Sequence, residues 1–209
     1  MKFRITMSAL VLAGLCAAGT GFAADAKTQP AKAPDAARSP SPDEMKWMDW
    51  MQKNVPGDAH KLLASCVGEW NLEVKSWMDP KAPPMVSKAT SSVKLILDGR
   101  YLQETSTGTM AGAPFNGMGL TAYDNGDKKY QATWVDNMST EIFRFDGTYD
   151  LATKSLTMDG ASYSPVAAKD VPMKTVTRFV DDKSHVFEWW APGPGGDMFK
   201  AMEITYTRQ

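Results

Sequence analysis

Five residues carry charge or a large aromatic face in stretches that otherwise alternate between apolar and polar side chains: Arg100, Glu104, Trp134, Asp136 and Glu188. Residues two apart on an extended strand share a face. By that parity Asp136 falls with Tyr130, Ala132 and Trp134, Arg100 and Glu104 fall with Leu102, and Glu188 falls with Val186 and Trp190. If those apolar faces enclose an interior, two or three carboxylates and a guanidinium point into it. Interior charge is costly unless paired, so Arg100 is expected to meet Asp136, Glu104 or Glu188. A few polar groups among apolar walls is the usual make-up of a small-molecule site, and these five residues are the candidate ligand contacts. The bland alternative is a structural ion pair at the mouth of a closed sheet.

Other chemistries find less support. Carboxylates facing one lumen raise acid–base hydrolysis, with Asp136 acting alongside Glu104 or Glu188, but nothing in the spacing sets their separation. A serine triad would need a nucleophile elbow, and the chain has no Gly-x-Ser-x-Gly and only two histidines, His60 and His185. His185 shares a face with Phe187 and Trp189, which makes it the candidate ligand for haem; yet it follows the polar run Asp181-Asp182-Lys183-Ser184, where an exposed histidine is expected. The run from Gly108 to Gly119 lacks the Gly-Lys-Ser/Thr ending of a phosphate loop and suits a bent sheet wall instead. Asp124-Asn125-Gly126-Asp127 is a hairpin turn without the remaining ligands of a calcium loop. Met45, Met48 and Met51 at helical spacing suggest Cu(I), but no His or Cys completes the set, and an amphipathic helix packing on the domain explains them. No metal site and no resident cofactor are expected.

The elements that would position these residues change character along the chain. Lys2 and Arg4, an apolar core from Met7 to Ala18, and small residues at Gly21 and Ala23 make residues 1–23 a signal peptide cleaved near Ala23. Leu15 precedes Cys16 where lipoprotein processing wants a small side chain, so acylation is not expected. Residues 24–42 are an Ala/Pro-rich linker with little to bury. Ser41-Pro42-Asp43-Glu44 starts a helix, assigned to residues 43–57 and ending at Pro56-Gly57. A short helical turn over Asp58 to Ser65 then leads into residues 58–209, the main domain.

From Trp70 the hydrophobic period becomes two. It is clear in Trp70, Leu72 and Val74, in Val93, Leu95 and Leu97, in Tyr130, Ala132 and Trp134, and in Met202, Ile204 and Tyr206. Turn signals separate the runs: Asp98-Gly99, Asn125-Gly126, Asp159-Gly160, Asp182-Lys183 and the stretch from Pro192 to Gly196. The pattern predicts an all-β domain of about nine or ten short antiparallel strands. Such a meander has unpaired edges unless it closes, and closure gives an up-and-down barrel. Gly68, Trp70 and Arg208 carry the closure: parity puts Trp70 and Arg208 on inward faces of the first and last strands, where a guanidinium can stack on an indole.

That Gly-x-Trp plus terminal Arg pattern resembles the calycins, the lipocalin-like barrels. The stretch from His60 to Arg208 resembles more closely a bacterial family, domain of unknown function 1579. The resemblance rests on His60-Lys61-Leu62 with Gly68-Glu69-Trp70, Asp98-Gly99-Arg100-Tyr101-Leu102, and Gly108 through Gly117. It continues in Tyr123-Asp124-Asn125, Trp134 through Thr140, Gly147-Thr148-Tyr149-Asp150 and Glu203 through Arg208. Asp98 stands where such proteins commonly carry Gly. The resemblance implies a calycin-like barrel and no particular activity.

Composition bounds the rest. Lys+Arg 23 against Asp+Glu 24 gives a net charge of −1. Losing Lys2 and Arg4 with the leader makes the mature chain slightly more acidic, so nucleic acid is not an expected partner. No transmembrane segment is expected in the mature protein, which belongs in the periplasm or outside the cell. Cys66 is then the one remaining cysteine, so no internal disulfide forms; it reads as a small buried apolar residue, with a redox thiol as the alternative. The expected function is a non-enzymatic barrel that binds a small, partly apolar ligand. The alternatives are a haem barrel through His185, a hydrolase, and a barrel filled by its own side chains.

Overall fold

The computed structural model describes residues 38–110 and 112–209. The expected signal peptide, Cys16 and most of the expected linker lie outside the described residues. Helix α1 (Pro42–Lys53) starts where local chemistry dictates: Ser41 Oγ accepts from the Glu44 N–H and the Glu44 carboxylate accepts from the Ser41 N–H, with Pro42 in the first turn. None of its residues is buried. Helix α2 (Asp58–Ser65) follows, with His60 Nδ1 accepting from the Gly57 N–H at 3.1 Å. No helix among the described residues is long and apolar enough to cross a membrane.

Ten strands follow. They are β1 (Gly68–Ser76), β2 (Met85–Ile96), β3 (Tyr101–Met110), β4 (Ala113–Asp124) and β5 (Lys129–Asp136). The second half comprises β6 (Phe143–Asp150), β7 (Ser155–Ser164), β8 (Lys169–Asp181), β9 (Ser184–Pro192) and β10 (Met198–Arg208). Each pairs antiparallel with its chain neighbours, and β1 pairs with β10 to close the ring. The closing register runs from Trp70 opposite Arg208 to Ser76 opposite Met202. Every strand therefore has two partners and no edge is left to aggregate. Register shifts between Lys200 and Met202 and between Phe179 and Asp181 bend the wall, as bulges do.

The lumen receives alternate side chains, as the period of two requires. One end is plugged by α2. Leu63, 2% exposed, packs there with Tyr130, Phe145, Leu156 and Met158, and the Tyr130 hydroxyl donates to the Ala59 carbonyl at 2.9 Å. Beside the plug, Trp70, Leu72, Val74, Val93 and Tyr206 form a second apolar group. Asp98-Gly99 does make the β2–β3 turn, with positive φ at both residues. Asp159-Gly160 does not make a turn. It lies inside β7 opposite Asp146 and Phe145, because a Cβ at Gly160 would overlap the Phe145 ring and the Arg144 carbonyl; this glycine is needed for close approach.

Candidate functional site

The seam between β1 and β10 explains why Gly68, Trp70 and Arg208 go together. The Arg208 guanidinium lies 4.3 Å from the centre of the Trp70 ring. Its nitrogens donate to three carbonyls, Val67 at 2.6 Å, Ser65 at 3.0 Å and Asp182 at 2.9 Å. Gly68, at φ 147°, leaves the space: a Cβ there would run into Nη1 of Arg208. Trp70 is 1% exposed and donates its indole N–H to the Cys66 carbonyl at 2.9 Å. This arrangement ties the plug helix to the first and last strands of the barrel and to the β8–β9 turn.

Beyond the plug the lumen is not filled. A cavity of about 260 Å³ extends from Leu62, Leu63 and Cys66 at the closed end to Met110, Phe115 and Met138 near the opposite rim. Its walls are mainly apolar and aromatic, with Trp134, Phe187 and Trp189 prominent. Two hollows of about 580 Å³ each lie on the outer wall among polar residues such as Lys129, Asp146 and Lys88; these are grooves on the sheet surface rather than an interior.

Three of the five residues singled out from sequence line the cavity: Glu104, Trp134 and Asp136. Trp134 lies along β4, where Gly117 and Gly119 admit its indole; a Cβ at Gly117 would overlap that ring. Its indole N–H donates to Asp136 Oδ2 at 2.9 Å, and Asp136 Oδ1 accepts from the Met138 N–H at 2.9 Å, so both oxygens are engaged. Glu104 is different. Ser91, Ser106 and Tyr206 all donate to its Oε1, at 2.8, 3.0 and 3.0 Å. Among the described residues no hydrogen bond engages Oε2 and no cation pairs with this carboxylate.

Arg100 and Glu188 are not part of the cavity. Arg100 sits in the β2–β3 turn beside Asp98 at 3.6 Å, with its guanidinium near the Leu97 carbonyl; it follows Leu102 in parity but lies beyond the strand end. Glu188 is 5% exposed yet on the outer wall, where Arg178 clamps it at 2.9 Å, the Trp190 indole donates to it at 3.0 Å and Lys200 lies at 3.5 Å. The expected pairing of Arg100 with Asp136, Glu104 or Glu188 does not occur. Because Glu188 and Asp136 face opposite sides of the wall, they cannot act as an acid–base pair.

His185, which sequence reasoning placed on a solvated turn, is 9% exposed and faces inward. It stacks on Tyr206 at 4.3 Å and meets the edge of Trp70 at 4.6 Å. Burial, and secondarily the Arg208 charge, lowers its pKa to about 4. With one face covered by Tyr206 and a cavity below the ~300–1,000 Å³ of drug-sized sites, the surroundings of His185 do not fit a tetrapyrrole. Among the described residues no group of three His, Cys, Asp or Glu is placed to hold a metal ion. Cys66 is half-buried at the closed end, and burial pushes its thiol up to about 11, so it stays protonated and unreactive at neutral pH.

Sequence reasoning missed Thr175. It is 2% exposed on the cavity wall, and its Oγ1 is the one buried side-chain polar atom among the described residues without a hydrogen-bond partner. Its signal was faint: a threonine on β8 between Lys174 and Val176, sharing its face with Met173 and Thr177, looks like any β-branched strand residue.

No curated protein matches the chain in sequence. Among solved structures, the crystal structure of Rv2717c from M. tuberculosis is similar, with a TM-score of 0.55 and 14% identity over 74% of this chain and 99% of that one. A redesigned β-barrel gives a TM-score of 0.37 at 13% identity, over 70% of this chain and 94% of that one. The first likeness shows the barrel fold alone. The family model described as protein of unknown function DUF1579 matches residues 55–208, which take in all of α2 and the barrel, and the chain belongs to that family.

Proposed function

We propose that this protein is an exported, non-enzymatic, calycin-like barrel that takes a small, partly apolar molecule into its lumen. The observation that carries the reading is the cavity of about 260 Å³, walled by aromatic side chains and furnished with the half-used carboxylate of Glu104. A barrel filled by its own side chains would have no such space, and an enclosed apolar cavity with few polar groups is how small-ligand sites are built. Apolar burial at roughly 25 cal/mol per Å² supplies affinity, and the polar groups set orientation. Hydrolysis gains no support, since Asp136 has both oxygens occupied and Glu188 lies outside.

The test uses N-phenyl-1-naphthylamine, an uncharged apolar fluorophore that brightens on leaving water. Its emission should rise on adding the exported protein, saturating at micromolar concentration. Thr177→Trp, which puts an indole into the lumen from β8, should abolish the rise while circular dichroism stays unchanged. Native mass spectrometry of the same preparation should give a chain cleaved after Ala23. No rise with the unmodified protein, or an equal rise in the folded Thr177→Trp variant, would remove the lumenal-ligand reading.

A further inference from the structure

The interior of the barrel has an unbalanced charge. Glu104 and Asp136 both line the cavity, and no lysine or arginine does among the described residues. The contrast with Glu188 is instructive. That glutamate is buried on the outer wall, and the protein surrounds it with Arg178, Lys200 and the Trp190 indole. Glu104 gets three neutral hydroxyls on one oxygen and no countercharge. A carboxylate removed from bulk water without a cation is costly, and a fold that only needed an acceptor for three hydroxyls could use an amide. Around the same space stand the rings of Trp134, Phe187 and Trp189, and aromatic rings attract cations. Across the lumen Thr175 Oγ1 lies fully buried and unpartnered in the wall. Buried polar atoms left orphaned call for an explanation, and a bound molecule is one.

We infer that the lumen selects a cationic ligand: a protonated amine or quaternary ammonium on a compact apolar body, its charge beside Oε2 of Glu104 and its body against the aromatic walls. This rests on the lumenal-ligand reading and narrows it. An anion of the same shape would meet two carboxylates without a compensating charge and should be excluded. A neutral analogue would keep the apolar contacts but leave Glu104 without its countercharge.

Three molecules of nearly one shape separate these cases: 2-phenylethylamine, 2-phenylethanol and phenylacetate, each titrated against N-phenyl-1-naphthylamine bound to the full exported chain at pH 7. The amine should displace the fluorophore at a concentration roughly tenfold or more below the alcohol, and phenylacetate should not displace it. In Glu104→Gln the amine-to-alcohol ratio should collapse toward one, whereas in Glu188→Gln, on the other side of the wall, it should stay as in the parent. If the fluorophore binds but amine, alcohol and carboxylate compete equally, or the carboxylate wins, the cavity survives and the cationic preference is wrong. If Glu104→Gln does not fold, the three-ligand series on the unaltered protein still decides. If the fluorophore itself never binds, both readings fall together.

Discussion

Glu104 carries two demands that can be separated by choice of substitution. Its Oε1 is the acceptor for Ser91, 1% exposed, Ser106, 3% exposed, and the buried hydroxyl of Tyr206, whose pKa burial and the neighbouring carboxylate both raise. Removing the acceptor leaves three buried donors without a partner, and each such group costs about 1–3 kcal/mol. Hydroxyls can rotate to other acceptors, so the total should fall short of the sum. Glu104→Leu is therefore expected to destabilise the barrel by roughly 2–5 kcal/mol in urea unfolding, while Glu104→Gln, which keeps a carbonyl oxygen in place, should cost about 1 kcal/mol. Equal losses for the two would mean that the hydroxyls do not depend on this residue, and that Glu104 is held for its charge alone. Among the described residues Oε2 takes no hydrogen bond, so the stability experiment reads mainly the oxygen that the fold uses.

At the level of elements, α1 and the barrel obey different rules. The helix has a complete N-terminal cap and pairs Lys53 with Asp49 at 2.7 Å and Lys46 with Asp43 at 3.1 Å, all local interactions. Its Trp47 and Trp50 pack edge to face on each other but remain 63% and 53% exposed, unlike Trp70 at 1%. The contact with the barrel is made by the Asn125 side chain, which donates to the Lys53 and Val55 carbonyls. Replacing Trp47 and Trp50 by Ala should thus change the urea midpoint little, by about 0.5 kcal/mol or less for each. A loss above about 2 kcal/mol would show that the helix face is packed on the domain, as the Met/Trp spacing by itself suggests. Elsewhere, strand period and closure were legible because both are written in local alternation: Trp70 and Arg208 land opposite each other because their parities match and closure requires it. Which face of β9 turns inward was not legible, since Val186 and Trp190 on one side are as apolar as Phe187 and Trp189 on the other. Only pairing with β8 and β10 decides it, and that moves Glu188 out and His185 in. Arg100 failed for another reason: parity has no meaning once the chain leaves the strand for a turn. Asp159-Gly160 has the composition of a hairpin turn, but the tight spacing of β6 and β7 demands a glycine there, and the actual connection falls earlier in the chain, at Leu151 to Lys154.

For the molecule as a whole, the closed end couples stability to protons. His185 is wedged among Trp70, Tyr206 and Phe179, and the nearby Arg208 guanidinium adds to burial in keeping it neutral, with a pKa of about 4 in the folded chain. In the unfolded chain it titrates near the ordinary 6.5. Between those values the unfolded state binds more protons than the folded one, so stability rises with pH across this window; above it His185 contributes nothing further, and below it the loss is complete. The gap corresponds to on the order of 3 kcal/mol in full, about 2 kcal/mol of which is lost by pH 5. His60, also lowered by burial and by Arg100, acts in the same direction. The aspartates with lowered pKa, Asp58, Asp150 and Asp181, lose their contributions only on further acidification, because their unfolded reference of 3.8 lies below this range. Thermal melts at pH 7 and pH 5 therefore isolate the histidines. His185→Phe keeps an aromatic ring against Tyr206 and removes the titration, so its melting temperature should fall between the two pH values by roughly 4–8 °C less than that of the parent. The same fall in both proteins would mean that water or a proton reaches His185 through the lumen in the folded state, and that the plug formed by α2 and the Arg208 seam does not keep the closed end dry.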